Sequence, residues 1–205
     1  MQFFVLGFSL LYLVGCSTLP DLEPVTTIKT PGYRHPGGAT VTLVSVVSKR
    51  SASVGHSALI VNGTQRIIFD PAGSLFHESL KFQGDVIYDA NPSVVDGYID
   101  YHTRNTHDTV VQTVDIADAV AEDLLKRLLS RGYVRKSFCA QSSSTLLRAT
   151  PGFENIRPTF SPQKLMNNFG TLEDVRLARF SLPDDVDKSA KFYAWVGQKP
   201  LFNIE

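Results

Sequence analysis

Cys139 is the side chain best suited to covalent chemistry in this chain. It follows Ser137-Phe138 and precedes Ala140-Gln141-Ser142, where a helix is predicted to start at 137 or 138 and run to about 149. Thr150-Pro151-Gly152 stops that helix. The first N–H groups of a helix have no partner within it, and the helix dipole is positive there, so a thiol at that place is pushed toward thiolate. The same N–H groups can hold an oxyanion that forms beside the sulfur. The competing reading is a buried cysteine that serves as a small apolar side chain.

A nucleophilic thiol needs a base, and there are five histidines: His35, His56, His77, His102 and His107. His35 falls in a Pro/Gly-rich stretch and reads as solvated; His77 and His107 read as loop or strand-edge residues. His102 falls on the apolar side of a predicted helix and reads as a satisfied, partly buried ring. His56 opens the apolar strand Gly55-His56-Ser57-Ala58-Leu59-Ile60-Val61. A polar ring there is costly without a partner. Asn62-Gly63 is a strong hairpin signal that turns the chain back through Gln65-Arg66-Ile67-Ile68-Phe69 to Asp70. The register sets Asp70 near His56, where a carboxylate would fix the ring tautomer and raise its basicity. Asp70 also precedes Pro71 and can be read as a turn former. Ser57, Gln141 and Tyr88 are candidates to line a cleft.

The other cysteine, Cys16, has a different setting. Residues 1–15, MQFFVLGFSLLYLVG, carry no charged side chain and read as the apolar part of a signal peptide. Leu13-Val14-Gly15-Cys16 resembles the bacterial lipobox, which implies acylation of Cys16 as the new N-terminus. Acyl chains contribute about 0.8 kcal/mol per buried methylene to membrane attachment. Ser17 after the cysteine points to the outer membrane, facing the periplasm. Residues 16–38, rich in Pro and Gly, read as a tether, and 39–205 as the folded domain.

The 205 residues suit one domain, and Lys+Arg equal Asp+Glu at 20 each. Zero net charge without a basic run argues against electrostatic capture of nucleic acid. Two cysteines exclude a disulfide scaffold or a four-thiolate zinc site. No His-Glu-x-x-His and no glycine-rich phosphate loop occurs, so neither a metal nor another cofactor is expected. Strands are predicted at 40–47, 55–61, 65–69, 85–88, 109–115 and 174–180. Helices are predicted at 92–105, 116–131 with Gly132 as its cap, 137–149 and 161–169. This alternation gives an α+β fold, a central antiparallel sheet packed against helices.

Histidine at the start of a hairpin, a polar residue at the end of the returning strand, and a later cysteine opening a helix resembles the circularly permuted papain-like superfamily. That group includes permuted NlpC-type hydrolases and lecithin:retinol acyltransferase-like proteins. The resemblance runs from Gly55-His56 through Phe69-Asp70 to Ser137-Phe138-Cys139-Ala140. It implies Cys139 as nucleophile, His56 as base and Asp70 as orienting residue. It also implies a thiol-dependent hydrolase acting on an amide bond. Location beside peptidoglycan favours cell-wall peptides as substrate, and the chain is expected to act as a monomer. A lipid ester or thioester, with hydrolysis or acyl transfer, is the alternative within the same fold; a non-catalytic lipoprotein is the alternative outside it.

Overall fold

The computed structural model describes residues 32–73 and 75–182. The signal segment, Cys16 and most of the tether lie outside the described residues, as does the chain from 183 onward.

Seven strands form one antiparallel sheet: β1 (Thr40–Ser48), β2 (Val54–Asn62), β3 (Arg66–Phe69), β4 (Lys81–Gln83), β5 (Val86–Tyr88), β6 (His107–Asp115) and β7 (Arg176–Phe180). Their spatial order is β4-β5-β3-β2-β1-β6-β7. Among the described residues four helices accompany the sheet: α1 (Pro92–His102), α2 (Asp118–Leu129), α3 (Cys139–Arg148) and α4 (Pro162–Phe169). The α+β expectation therefore holds.

Both faces of the central strands are buried, which is why β1 and β2 read as nearly continuous apolar runs. Odd positions such as Leu43, Leu59, Val61, Ile67 and Phe69 pack with α2, α3 and α4, whose stripe includes Leu124, Leu128, Leu147 and Phe169. Even positions such as Val44, Ala58, Ile60 and Ile68 pack with Val95, Tyr98 and Ile99 of α1. A fully buried Leu124 contributes about 1.5–3 kcal/mol by its removal from water. Because side chains alternate across a strand, His56 faces the α1 layer while its neighbour Ser57 faces the α3 layer.

Several boundaries differ from expectation for local reasons. β4 was not foreseen: it is three residues long, only half-buried, and exists by pairing Lys81–Gln83 with β5. α1 ends three residues early because the Thr103 hydroxyl bonds back to the Ile99 carbonyl at 2.8 Å, and its extended backbone leaves the helix. α2 is shorter at both ends and is closed by Ser130; Gly132, left-handed at φ +67, lies two residues beyond that cap. α3 starts at Cys139 because Ser137 is left-handed, at φ +70, and cannot belong to the helix. α4 matches, with the Ser161 hydroxyl accepting from Lys164 N–H and Pro162 in the first turn.

The last part of the expected tether is bound to the domain. Tyr33 N–H donates to Asp89 at 3.0 Å, Arg66 N–H donates to the Tyr33 carbonyl at 2.6 Å, and His35 N–H donates to the Asn62 side chain at 3.0 Å. His35 is consequently half-buried instead of solvated, with Nδ1 3.1 Å from the Tyr33 hydroxyl.

Candidate active site

The hairpin delivers Asp70 to His56 as its register requires. Leu59 pairs with Phe69, so one further step sets Asp70 opposite Ala58 and diagonal to His56 on the same face. His56 Nε2 lies 2.7 Å from Asp70 Oδ1. That contact occupies one ring nitrogen and leaves Nδ1 for the sulfur. The Cys139 sulfur and the His56 ring are near enough for each to shift the other's charge equilibrium. The three residues 56, 70 and 139 are thus brought together from β2, the end of β3 and the start of α3.

The electrostatics favour an ion pair. Burial alone would lower the His56 pKa, but its bonds to Asp70 and Cys139 outweigh burial and carry it to about 10. Burial alone would raise the Cys139 thiol; His56 and the N–H and hydroxyl of Ser57 pull it below the usual thiol value. The Ser57 hydroxyl is fully buried and forms no hydrogen bond among the described residues. Asp70, 5% exposed, stays below the ordinary carboxylate range despite burial because His56 and Tyr98 face it.

Cys139 opens α3, and no side chain caps that terminus. The preceding residue, Phe138, has non-helical backbone angles, and its own N–H is bonded to the Arg135 carbonyl. The first N–H groups of α3 therefore remain as donors beside the sulfur.

Three supporting residues escaped the sequence reading. The Tyr98 hydroxyl donates to Asp70 Oδ1 at 2.8 Å. Burial and the facing carboxylate hold its phenol well above the ordinary range, so it remains a donor. Gly73 abuts the other oxygen: a Cβ there would stand 1.8 Å from Asp70 Oδ2. Asp85 joins the two loops that carry the reactive groups. Its Oδ2 accepts from Val134 N–H at 2.7 Å, before Cys139, and from Ala72 N–H at 3.2 Å, after Asp70. Tyr98 could have been found from its place on the α1 face shared with His102; the other two had no local signal.

His102 differs from expectation. Its ring stacks on His56 at 5.5 Å between centroids and 25° between planes, with Tyr98 and Tyr101 edge-on around it. Its Nε2 is buried and has no hydrogen-bond partner among the described residues. Burial lowers its pKa to about 4, so it is a neutral plate against the charged ring. His56, Asp70 and His102 are the group that could surround a metal ion among the described residues, with ligand atoms within 4.8 Å of one another. His56 Nε2 and Asp70 Oδ1 are however in direct contact at 2.7 Å, a bond that an ion set between them would have to break. The arrangement fits a hydrogen-bonded pair with a stacked neighbour better than a coordination sphere.

Of the expected cleft residues, Ser57 is at the sulfur. The Gln141 side chain lies along the exposed face of α3, bonded to Thr145 at 3.4 Å, and the Tyr88 hydroxyl bonds Gln83 at 3.2 Å. His77 and His107 bond to nearby hydroxyls, those of Ser79 and Thr106. Among the described residues no helix is long and apolar enough to cross a membrane. No family model, curated protein or solved structure matches the chain.

Proposed function

We propose that this chain is a cysteine hydrolase of the permuted papain-like kind, acting on an amide bond in cell-wall peptides and tethered to the membrane through acylated Cys16. The observation that carries the reading is the joined group itself. A thiol at an uncapped helix N-terminus meets an imidazole whose far nitrogen is held by a buried carboxylate, in the chain order His56, Asp70, Cys139.

The chemistry follows from the roles of these groups. The Cys139 thiolate adds to the amide carbon, and the N–H groups opening α3 hold the oxygen that becomes negative. The C–N bond breaks as the His56 imidazolium gives its proton to the departing amine, leaving a thioester on Cys139. Neutral His56 then takes a proton from water, the resulting hydroxide attacks the thioester, and the acid product leaves as the thiolate and imidazolium are restored. Asp70, backed by Tyr98, keeps the ring oriented through both proton transfers.

Exposed aromatic side chains beside the site favour a second reading, a lipid ester or thioester substrate. Phe138, next to Cys139, pairs edge-on with Phe160 at 5.2 Å, and both are exposed. Incubation of the purified chain with muropeptides and, in parallel, with phospholipid vesicles decides between the two, with products read by mass spectrometry. New amine and acid termini from the muropeptides, absent with Cys139→Ala, support the first reading. Released fatty acid supports the second. Equal turnover by Cys139→Ala on either substrate overturns the nucleophile assignment.

A further inference from the structure

A cavity of about 250 Å³ lies away from the cysteine, where the first turns of α1 cross the sheet. Ile60, Val95, Ile99 and Val111 give it apolar walls, and Arg176 of β7 lines it too but is already held by Asp115 through two bonds of 2.6 and 2.7 Å. The other charged side chains in its lining are Arg66 from β3 and Asp96 from α1. Both are deeply buried, 8% and 5% exposed.

Arg66 is held rigidly. Its Nε donates to the Ala90 carbonyl, and its guanidinium sits over the Tyr33 ring at 5.0 Å. This fixed geometry leaves Nη2 buried with no hydrogen-bond partner among the described residues. Asp96 faces the same space and forms neither a hydrogen bond nor an ion pair with Arg66 among the described residues; their attraction acts across a gap. Buried ionic groups are ordinarily paired or hydrogen-bonded. Two separated, opposite charges over an apolar floor form a recognition pair for a molecule that carries both complements. A simple anion would satisfy Arg66 but be repelled by Asp96, and a simple cation would meet the reverse.

We propose that this cavity binds a free amino acid with an apolar side chain, its carboxylate on Arg66, its ammonium on Asp96 and its side chain against the Ile60–Val111 wall. The site is separate from the thiol chemistry and does not depend on it.

Titration calorimetry with leucine tests this, using the full chain and Cys139→Ala. N-acetylleucine, which lacks the ammonium, and leucinamide, which lacks the carboxylate, serve as probes, with hexanoate as the apolar anion. Leucine should bind both proteins equally. The two truncated probes and hexanoate should bind at least tenfold more weakly, and Asp96→Asn, close in size to the natural residue, should weaken leucine by the same factor. Arg66→Met should do likewise; if it fails to fold by circular dichroism, Asp96→Asn carries the test alone. Absence of leucine binding overturns the proposal, as does hexanoate binding as tightly as leucine, or leucine binding unchanged in Asp96→Asn. Loss of hydrolysis in Cys139→Ala with leucine binding intact would separate this site from the reactive one.

Discussion

Replacing Asp70 by Asn tests the electrostatic reasoning without knowledge of the substrate. The wild-type carboxylate is 5% exposed and holds His56 Nε2 at 2.7 Å while accepting from Tyr98 at 2.8 Å. Asn keeps the shape and an oxygen acceptor but removes the charge. A hydrogen bond to a charged group is worth about 1.5–3 kcal/mol. One pKa unit corresponds to about 1.4 kcal/mol, so the imidazolium should lose about one to two units of its elevation. The thiolate it stabilises should titrate higher by a similar amount. The assay is the rate of Cys139 alkylation by iodoacetamide as a function of pH, a property of the free protein. In the wild type the rate should reach its plateau below the ordinary thiol pKa of 9.0. In Asp70→Asn the midpoint should move up by about one to two units, and His56→Ala should move it at least as far. A wild-type midpoint at or above the ordinary thiol value, or a midpoint unmoved by Asp70→Asn, would refute the ion-pair reasoning.

Other expectations follow from the same geometry. His56 has a folded pKa raised to about 10, so the stabilisation it gains from Asp70 and Cys139 is fully present below the unfolded value of 6.5 and is lost as pH rises toward 10. The histidine ring resonance should therefore titrate near that pH by NMR, and hydrolysis should show its alkaline limb there. Gly73→Ala should displace the Asp70 carboxylate, because the new methyl would stand 1.8 Å from Oδ2. Its alkylation profile should resemble that of Asp70→Asn, whereas an unchanged profile would show that the turn gives way instead. Asp85→Ala leaves the Val134 and Ala72 N–H groups without their acceptor and should cost about 1–3 kcal/mol in chemical denaturation. It should also slow alkylation of Cys139, since the loop carrying Phe138 loses its tie to the Asp70 turn.

Much of the site was legible in one dimension because its spacing is set by local rules. Asn62-Gly63 specifies a tight hairpin, a hairpin specifies a register, and the register makes Asp70 the diagonal neighbour of His56. The helix that begins with Cys139 was recognisable from its composition and from the Thr150-Pro151-Gly152 stop. The strand and helix classes followed from periodicity, and their errors fell at the ends. There, single contacts such as Thr103 to Ile99 outweigh propensity.

Tertiary structure alone decided that α3 lies against β2, so that a residue 83 positions beyond His56 in the chain reaches its ring. It also decided the surroundings that give those residues their charge states. Tyr98 and His102 come from α1 on the opposite face of the sheet from α3, and their influence on Asp70 and His56 depends on helix packing that no local pattern encodes. Asp85 and Gly73 act by proximity to segments distant in sequence or by the space they leave. The residue types able to do chemistry are thus a property of the sequence. The pKa values and orientations that would let them do it are set by burial and by neighbours, which exist only once the chain has folded.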